Sequence, residues 1–383
     1  MQLLHTADWH LGRSLHGAAL LEDQAHLLEQ FVDLVRDERP DVVLMAGDVY
    51  DRAVPPAAAV ELLDDVLSRI VLGLGVPVIA IAGNHDSPER LSFGSRLLRE
   101  AGLHLRGDLL GALEPVVLHD VHGPIGFHPV PFLEPAVVRH RLGDPDLAGI
   151  EAATAAVLDA ARASRAAGAR SVVVAHGFVS GMAESESERP LSLGGSACVD
   201  AEVFRGFDYV ALGHLHRPQA VAPGIRYAGS LMRYSFSEAD HDKEILAVEL
   251  GPDGACTVRS IVLSPRHQVR CLEGTLAEVL AGAEADGARD DYLSVTLTDR
   301  EPVFDAMGKL RQVYPNVLHI ERPALQAGAG APGARIDHRK IGVPELFSSF
   351  FQEVTGRPLD EEQHAGLAGV LEGLDPDAME AAP

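Results

Sequence analysis

Between Gln2 and His216 the chain repeats one pattern five times: a short apolar run stops at a cluster of aspartate, histidine or asparagine. The runs are residues 2–6, 42–46, 76–82, 171–175 and 209–212. The clusters after them are Asp8-Trp9-His10, Gly47-Asp48-Val49-Tyr50-Asp51, Gly83-Asn84-His85-Asp86, His176-Gly177 and Gly213-His214-Leu215-His216. Apolar runs of this length, mostly separated by helical patterns, predict buried strands of a layered α/β core. Loops beyond the carboxyl ends of such strands converge on one crevice. Asp8, His10, Asp48, Asn84, His176, His214 and His216 are therefore expected to meet there. One histidine after one strand is usually a packing residue; five such clusters in order point to a metal site.

Imidazole, carboxylate and amide donors without cysteine favour Mn²⁺ first, then Fe²⁺ or Zn²⁺, over an all-oxygen Ca²⁺ cage. Two such ions, roughly 3.5 Å apart, need a bridging carboxylate and activate water for in-line attack on a phosphodiester. Asp48 is the natural bridge.

The chain of 383 residues is 46% hydrophobic, enough for one large core with small appended modules. Its three cysteines, Cys198, Cys256 and Cys271, are too scattered for a disulfide framework or a Cys-x-x-Cys knuckle. The first residues lack a basic stretch followed by an apolar one, and every longer apolar run is interrupted, so a cytoplasmic protein outside the membrane is expected. A formal charge of -24 disfavours a simple nucleic-acid-binding module, so any DNA contact is local or shared with a partner.

Helical spacing appears at residues 22–39, 57–72 and 89–101, and β-rich stretches at 225–228, 244–249 and 256–263 close the core near residue 264. The pattern then restarts as a compact α+β module over 265–322, with strands at 267–272, 292–297 and 316–321 and helices at 276–285 and 302–313. Residues 326–334 are almost wholly Ala, Gly and Pro, which marks a tether within 323–340. Beyond it, 341–383 holds two helical patterns, at 343–354 and 361–374, the second opened by an Asp360/Gln363 capping box. Val343, Leu346, Phe347, Phe350, Phe351 and Val354 form an apolar helical face. A tethered face of this kind binds a partner or folds back on its own core, and the exposed tether favours the partner.

The five clusters resemble the calcineurin-like metallophosphoesterase superfamily: Asp-x-His, Gly-Asp, Gly-Asn-His-Asp, a histidine at a strand end and Gly-His-x-His all match. The stretches His5-Thr6-Ala7-Asp8-Trp9-His10-Leu11-Gly12, Ala46-Gly47-Asp48-Val49-Tyr50-Asp51, Ala82-Gly83-Asn84-His85-Asp86-Ser87, Ala211-Leu212-Gly213-His214-Leu215-His216 and Tyr227-Ala228-Gly229-Ser230 are more similar to the SbcD-like nuclease subunits than to generic phosphatases. The similarity spans residues 1–264 and loosens beyond.

The resemblance implies a layered β-sandwich flanked by helices, a small α+β cap and a C-terminal helical pair. It implies one ion held by Asp8, His10, Asp48 and His216, and another by Asp48, Asn84, His176 and His214, with His85 free to act on the substrate. It further implies an SbcC-like ATPase with long coiled coils as partner at the C-terminal helices, DNA as substrate, and a homodimer within a heterotetramer. The activity implied is a Mn²⁺-dependent nuclease that acts on duplex ends and on single strands or hairpins. A stand-alone phosphoesterase on nucleotides or phosphoproteins shares the site but has no need of the module and tail, and a noncatalytic scaffold conflicts with the complete ligand set.

Asp51 stands where some relatives carry a second histidine; it orients substrate or closes the loop. Trp9 packs under the site or stacks on a base, packing being the commoner role. His5, inside a strand, is structural. Arg13, Arg52, Arg90, Arg217 and Arg233 sit on or near the cluster loops as candidate phosphate contacts.

Overall fold

The computed structural model describes residues 1–109, 114–165, 168–188, 198–301 and 303–323, with Ser348, Phe351, Leu359, Asp360, Gln363 and Leu367. Residues 324–340 of the proposed tether and Val343, Leu346, Phe347, Phe350 and Val354 lie outside the described residues. Two six-stranded sheets pack face to face between layers of helices. The strands are β1 Gln2–Thr6, β2 Val42–Met45, β3 Val78–Ile81, β4 Leu103–Arg106, β5 Val116–Asp120, β6 Gly123–Val130, β7 Arg170–His176, β8 Tyr209–Gly213, β9 Gln219–Ala222, β10 Ile225–Tyr227, β11 Glu244–Leu250 and β12 Cys256–Val262. One sheet has the order β12-β11-β1-β2-β3-β4 and the other β9-β10-β8-β7-β6-β5.

Sequence explains why these strands are apolar on both faces. In β1 and β2, Leu3 and Leu44 enter the core between the sheets, whereas Leu4, Val43 and Met45 face helices α1 (Leu21–Glu38) and α2 (Ala57–Ser68). On the other sheet Val172, Val174 and Tyr209 point inward, and Val173, Val210 and Leu212 pack with helices α3 (Pro135–Leu142) and α4 (Gly149–Ala163). Both faces being covered, alternation disappears and a continuous apolar run results. His5 crosses between the sheets, its Nδ1 at 2.9 Å from the Tyr209 hydroxyl, and burial pushes its imidazole down to about 3, a structural role. Trp9 is fully buried, edge-on to Phe31, and its indole N–H donates to Thr6 Oγ1 at 2.8 Å, so it packs beneath the site.

The helical pattern at 89–101 is not one helix. It breaks into Pro88–Leu91, Ser95–Leu98 and a single turn Arg99–Ala101, because Gly94 takes a left-handed φ of 73° between the first two. Helix α2 runs on as a wide turn through Arg69–Gly73.

After the sandwich, β13 (Val269–Gly274), β14 (Tyr292–Leu297) and β15 (Val317–Glu321) form a parallel three-stranded sheet. Helices α5 (Leu276–Gly282) and α6 (Ala306–Arg311) cover it around Leu293, Val295, Leu310 and Tyr314. Thr275 and Glu278 form a capping box at α5. This module is not a separate body: Met1–Asp299 and Val303–Glu321 make one compact unit, and the remainder a second. The bonds that join it explain this. Asp23 of α1 accepts from the Tyr292 hydroxyl at 2.9 Å and meets His267 Nδ1 at 2.6 Å, while Val269 and Tyr292 enter the core of the first sheet. In the second unit, the Asp360 and Gln363 side chains each accept from the other's backbone N–H, at 2.8 and 3.1 Å, as a capping box requires.

Candidate metal centre

Five loops at strand ends carry the site, and they come from both sheets. Strands β1, β2 and β3 run parallel in one, β7 and β8 parallel in the other, so their carboxyl ends lie side by side. The loops turn sharply. Asp8, His10, Asp48 and His214 all have left-handed backbone, with φ of 52°, 44°, 49° and 108°. Each such residue costs on the order of 1–3 kcal/mol, and such strain concentrates at functional sites.

Two fully buried sets of donor atoms result, Asp8, His10 and His216 in one and Asp48, His176 and His214 in the other, beside a partly exposed third of His10, Asp51 and His85, the atoms of each set within 4.8 Å of one another. His10 Nε2 and His216 Nε2 are 3.0 Å apart, and Asp48 Oδ2 lies 3.5 Å from His10 Nε2 and 3.6 Å from His176 Nε2. Asn84 Oδ1 is 3.0 Å from His176 Nε2 and 3.1 Å from His214 Nδ1. All seven residues expected from the sequence come together, and Asp48 stands between the sets.

The electrostatics suit cations. Burial, then the charge of Asp48, pushes the Asp8 carboxyl well up, and burial pushes Asp48 up to about 6. Burial of two neighbouring carboxylates raises their affinity for protons; divalent cations reverse that balance. Burial also pushes His176 and His216 down to about 4 and pushes His10 and His214 well down, which keeps the imidazoles neutral, the form that binds metal. Two ring nitrogens 3.0 Å apart match the separation of adjacent ligands on an ion with bonds of about 2.1 Å meeting at about a right angle. The donor set fits a pair of divalent ions.

Hydrogen bonds hold these groups. His214 N–H donates to both Asp8 oxygens at 3.0 Å. His176 Nδ1–H donates to the Ala46 carbonyl at 2.9 Å, which leaves its Nε2 lone pair for the site. Asp86 accepts from Val49 N, Tyr50 N and Gly83 N at 3.1, 2.9 and 2.9 Å, tying the Asp48 loop to the Asn84 loop. His85 is different. Its Nδ1–H donates to the Asp51 carbonyl at 2.7 Å, and its Nε2 stands 4.0 Å from Asp48 Oδ2 with the side chain partly exposed.

A calcineurin-like phosphoesterase profile matches residues 1–218, more than half of the chain. The SbcD subunit of the nuclease SbcCD from Staphylococcus saprophyticus is 33% identical over 375 residues, which cover 98% of each protein. The chain belongs to the SbcD group of calcineurin-like phosphoesterases. As a member of that family it is a metal-dependent phosphodiesterase. A second profile, described as the type 5 capsule protein repressor C-terminal domain, matches residues 265–355. Among solved structures, a dimetal phosphatase from Danio rerio is 16% identical with a TM-score of 0.38, covering 69% of this chain and 99% of its own. A hypothetical protein from Thermus thermophilus is 15% identical with a TM-score of 0.38, covering 69% of this chain and 100% of its own.

Two of the five candidate phosphate contacts are committed elsewhere. Arg13 pairs with Asp51 at 3.4 Å, donates to the Ser187 carbonyl at 2.6 Å and lies over the Tyr234 ring. Arg233 donates to the His241 carbonyl at 2.9 Å and to Gln268 Oε1 at 2.6 Å, bracing the module. Arg52, Arg90 and Arg217 are exposed. Asp51 is drawn between Arg13 and the His85 bond through its carbonyl.

Sequence reasoning missed several supports: Gln24, whose amide donates to the Trp9 and His10 carbonyls at 3.1 and 2.8 Å, and Ser187, Glu188, Glu238 and Lys243 around His216. Each is a single polar residue in an unremarkable stretch. Only Asp86 stood inside a recognised cluster.

Proposed function

We propose that the chain is a Mn²⁺-dependent DNA nuclease subunit that acts with an SbcC-like ATPase in DNA end processing, recombination and repair. The observation that carries this reading is the convergence of seven ligand-type side chains with His85 beside them, in a chain that matches a nuclease subunit along nearly its whole length. In this reading Asp8, His10, Asp48 and His216 hold one ion and Asp48, Asn84, His176 and His214 the other. When bound, the ions supply Lewis-acid activation of water and of the phosphodiester. His85 then holds a proton at Nε2 for the developing charge or the leaving 3′ oxygen, oriented by the Asp51 carbonyl.

The substrate is DNA: duplex ends by exonuclease action, single strands and hairpins by endonuclease action. Exposed Arg52, Arg90 and Arg217 are its candidate phosphate contacts. Residues 1–264 serve as the nuclease domain, 265–322 as the cap, 323–340 as tether and 341–383 as the segment that binds SbcC. Two copies form a homodimer within a heterotetramer. No described helix is long and apolar enough to cross a membrane, and the proposed work is cytoplasmic, at the nucleoid when DNA is bound.

The decisive assay follows linear and single-stranded DNA with and without Mn²⁺, chelator and the ATPase. Cleavage requires Mn²⁺ and stops in chelator. Removal of residues 341–383 leaves single-strand cleavage but ends ATP-stimulated processing of duplex ends. Robust cleavage in chelator sinks the metal mechanism, and unchanged association with SbcC after truncation sinks the tail assignment.

A second expectation concerns pH. Burial raises Asp48 from 3.8 to about 6, so in the metal-free chain its protonated form favours folding. That contribution is present at acid pH and is lost as the pH rises through 6. An ion must displace this proton, so Mn²⁺ binds weakly at pH 5 and increasingly well above 6. At a hundredfold excess over its dissociation constant an ion adds about 2.7 kcal/mol. The rise in melting temperature on adding Mn²⁺ is therefore small at pH 5 and large at pH 7.5; a rise independent of pH contradicts the assignment.

A further inference from the structure

We propose that Ser187, Glu238 and Lys243 form a positioning relay that turns the Nε2 lone pair of His216 into the metal centre, an inference that rests on His216 being a ligand. The other well-placed histidine, His176, is set by a backbone carbonyl. His216 is set by side chains. Its Nδ1 lies 2.5 Å from Ser187 Oγ, and the Ser187 hydroxyl donates to Glu238 Oε1. A hydroxyl whose own proton goes to a carboxylate receives its next bond from an N–H, so His216 carries its proton on Nδ1 and presents Nε2 to His10. Glu238 Oε1, itself 3.4 Å from Nδ1, reinforces that tautomer.

Glu238 is held ionised by Lys243. Burial alone pushes its carboxyl up, but the Lys243 ammonium and the bond with His216 outweigh it and keep it below the ordinary carboxylate range. The Glu238 side chain has no exposure and that of Lys243 has 10%. Burying both charges is costly and adds little stability by itself, which makes a role in orientation the better account of the pair. Lys243 is one of three lysines among 32 basic residues. Its three donors meet three acceptors: Glu238 Oε2, the His216 carbonyl at 2.7 Å and Ser230 Oγ at 2.8 Å. An ammonium satisfies acceptors spread this way, whereas the planar fork of arginine does not.

The same serine faces the substrate side. Its carbonyl accepts from Arg13, which pairs with Asp51, whose carbonyl accepts from His85. Ser187 thus joins the support of His216 to the support of His85. Glu188, beside it, accepts from His216 N–H at 2.6 Å and fixes the backbone of the same residue.

The test is calorimetric titration of Mn²⁺ into the chelator-stripped full chain, a readout independent of turnover. Ser187→Ala removes one hydroxyl and lowers the affinity for one of the two ions by about 10–100-fold, the usual effect of losing a ligand's hydrogen-bond partner, and leaves the other unchanged. Ser187→Thr, which restores the hydroxyl, recovers the lost affinity. Wild-type affinity for both ions in Ser187→Ala, equal weakening of both, or a threonine variant that behaves like alanine overturns the relay while the metal reading stands. A wild-type chain that binds no Mn²⁺ overturns the metal reading and the relay with it.

Discussion

Replacing His85 with alanine lowers the rate of DNA cleavage by about two to four orders of magnitude, the usual loss for an acid-base group, while both ions stay bound. The geometry separates the two effects. His85 Nδ1 is committed to the Asp51 carbonyl and Nε2 stays 4.0 Å from Asp48 Oδ2; the imidazole shares a partly exposed donor cluster with His10 and Asp51 but lies outside the two fully buried sets, Asp8, His10 and His216 and Asp48, His176 and His214. The bond that does brace Asp48 comes from the His85 backbone N–H at 2.9 Å, and alanine keeps it. Metal content by elemental analysis beside single-turnover cleavage reads the two apart. Collapse of metal occupancy makes His85 a ligand and overturns the assignment.

Gly83→Ala should silence the enzyme almost as fully without replacing any ligand-type residue. A Cβ at position 83 falls 2.1 Å from Asp48 Oδ1 and 2.4 Å from Asp48 N, and 2.1 Å is far inside contact distance. The Asp48 loop then shifts by about 1 Å, a displacement that costs on the order of a hundredfold in rate at a preorganised site. Since Asp48 stands between the donor sets, occupancy of both ions falls together, unlike the single-ion effect expected for Ser187→Ala. Gly213 is a matching control on the neighbouring sheet, where a Cβ falls 1.9 Å from the Ala46 carbonyl. Normal metal content and turnover in Gly83→Ala would show that the loops give way and that Asp48 is not rigidly placed.

Much of this protein is legible in its sequence because the informative residues are local. Strands 2–6 and 292–297 have the bounds that their apolar runs predict, since a strand covered on both faces leaves an uninterrupted signal. The seven ligand-type residues are legible for a similar reason: each lies at the end of a strand or within about four residues beyond it, so its position is set by the strand it closes. The 89–101 helix misled because its apolar spacing is local evidence too, and a single left-handed glycine at 94 ended it. Strands 103–106, 116–120 and 123–130 and the helices at 135–142 and 149–163 gave weaker patterns and were not anticipated.

By itself the sequence determined which side chains meet at the centre, because strand ends dictate their neighbours. Only the tertiary structure decided how those side chains are held. The ligand-bearing strands divide between two sheets, a partition that depends on pairing between residues far apart, such as Leu3 with Val42 and Tyr209 with Val172. Ser187, Glu238 and Lys243 reach His216 across 22 to 29 residues of chain, and Arg13 reaches Ser187 across 174. A lone serine, glutamate or lysine carries no periodicity or spacing that announces such a contact. Its role exists only once folding has buried it beside a group whose polar atoms must be satisfied.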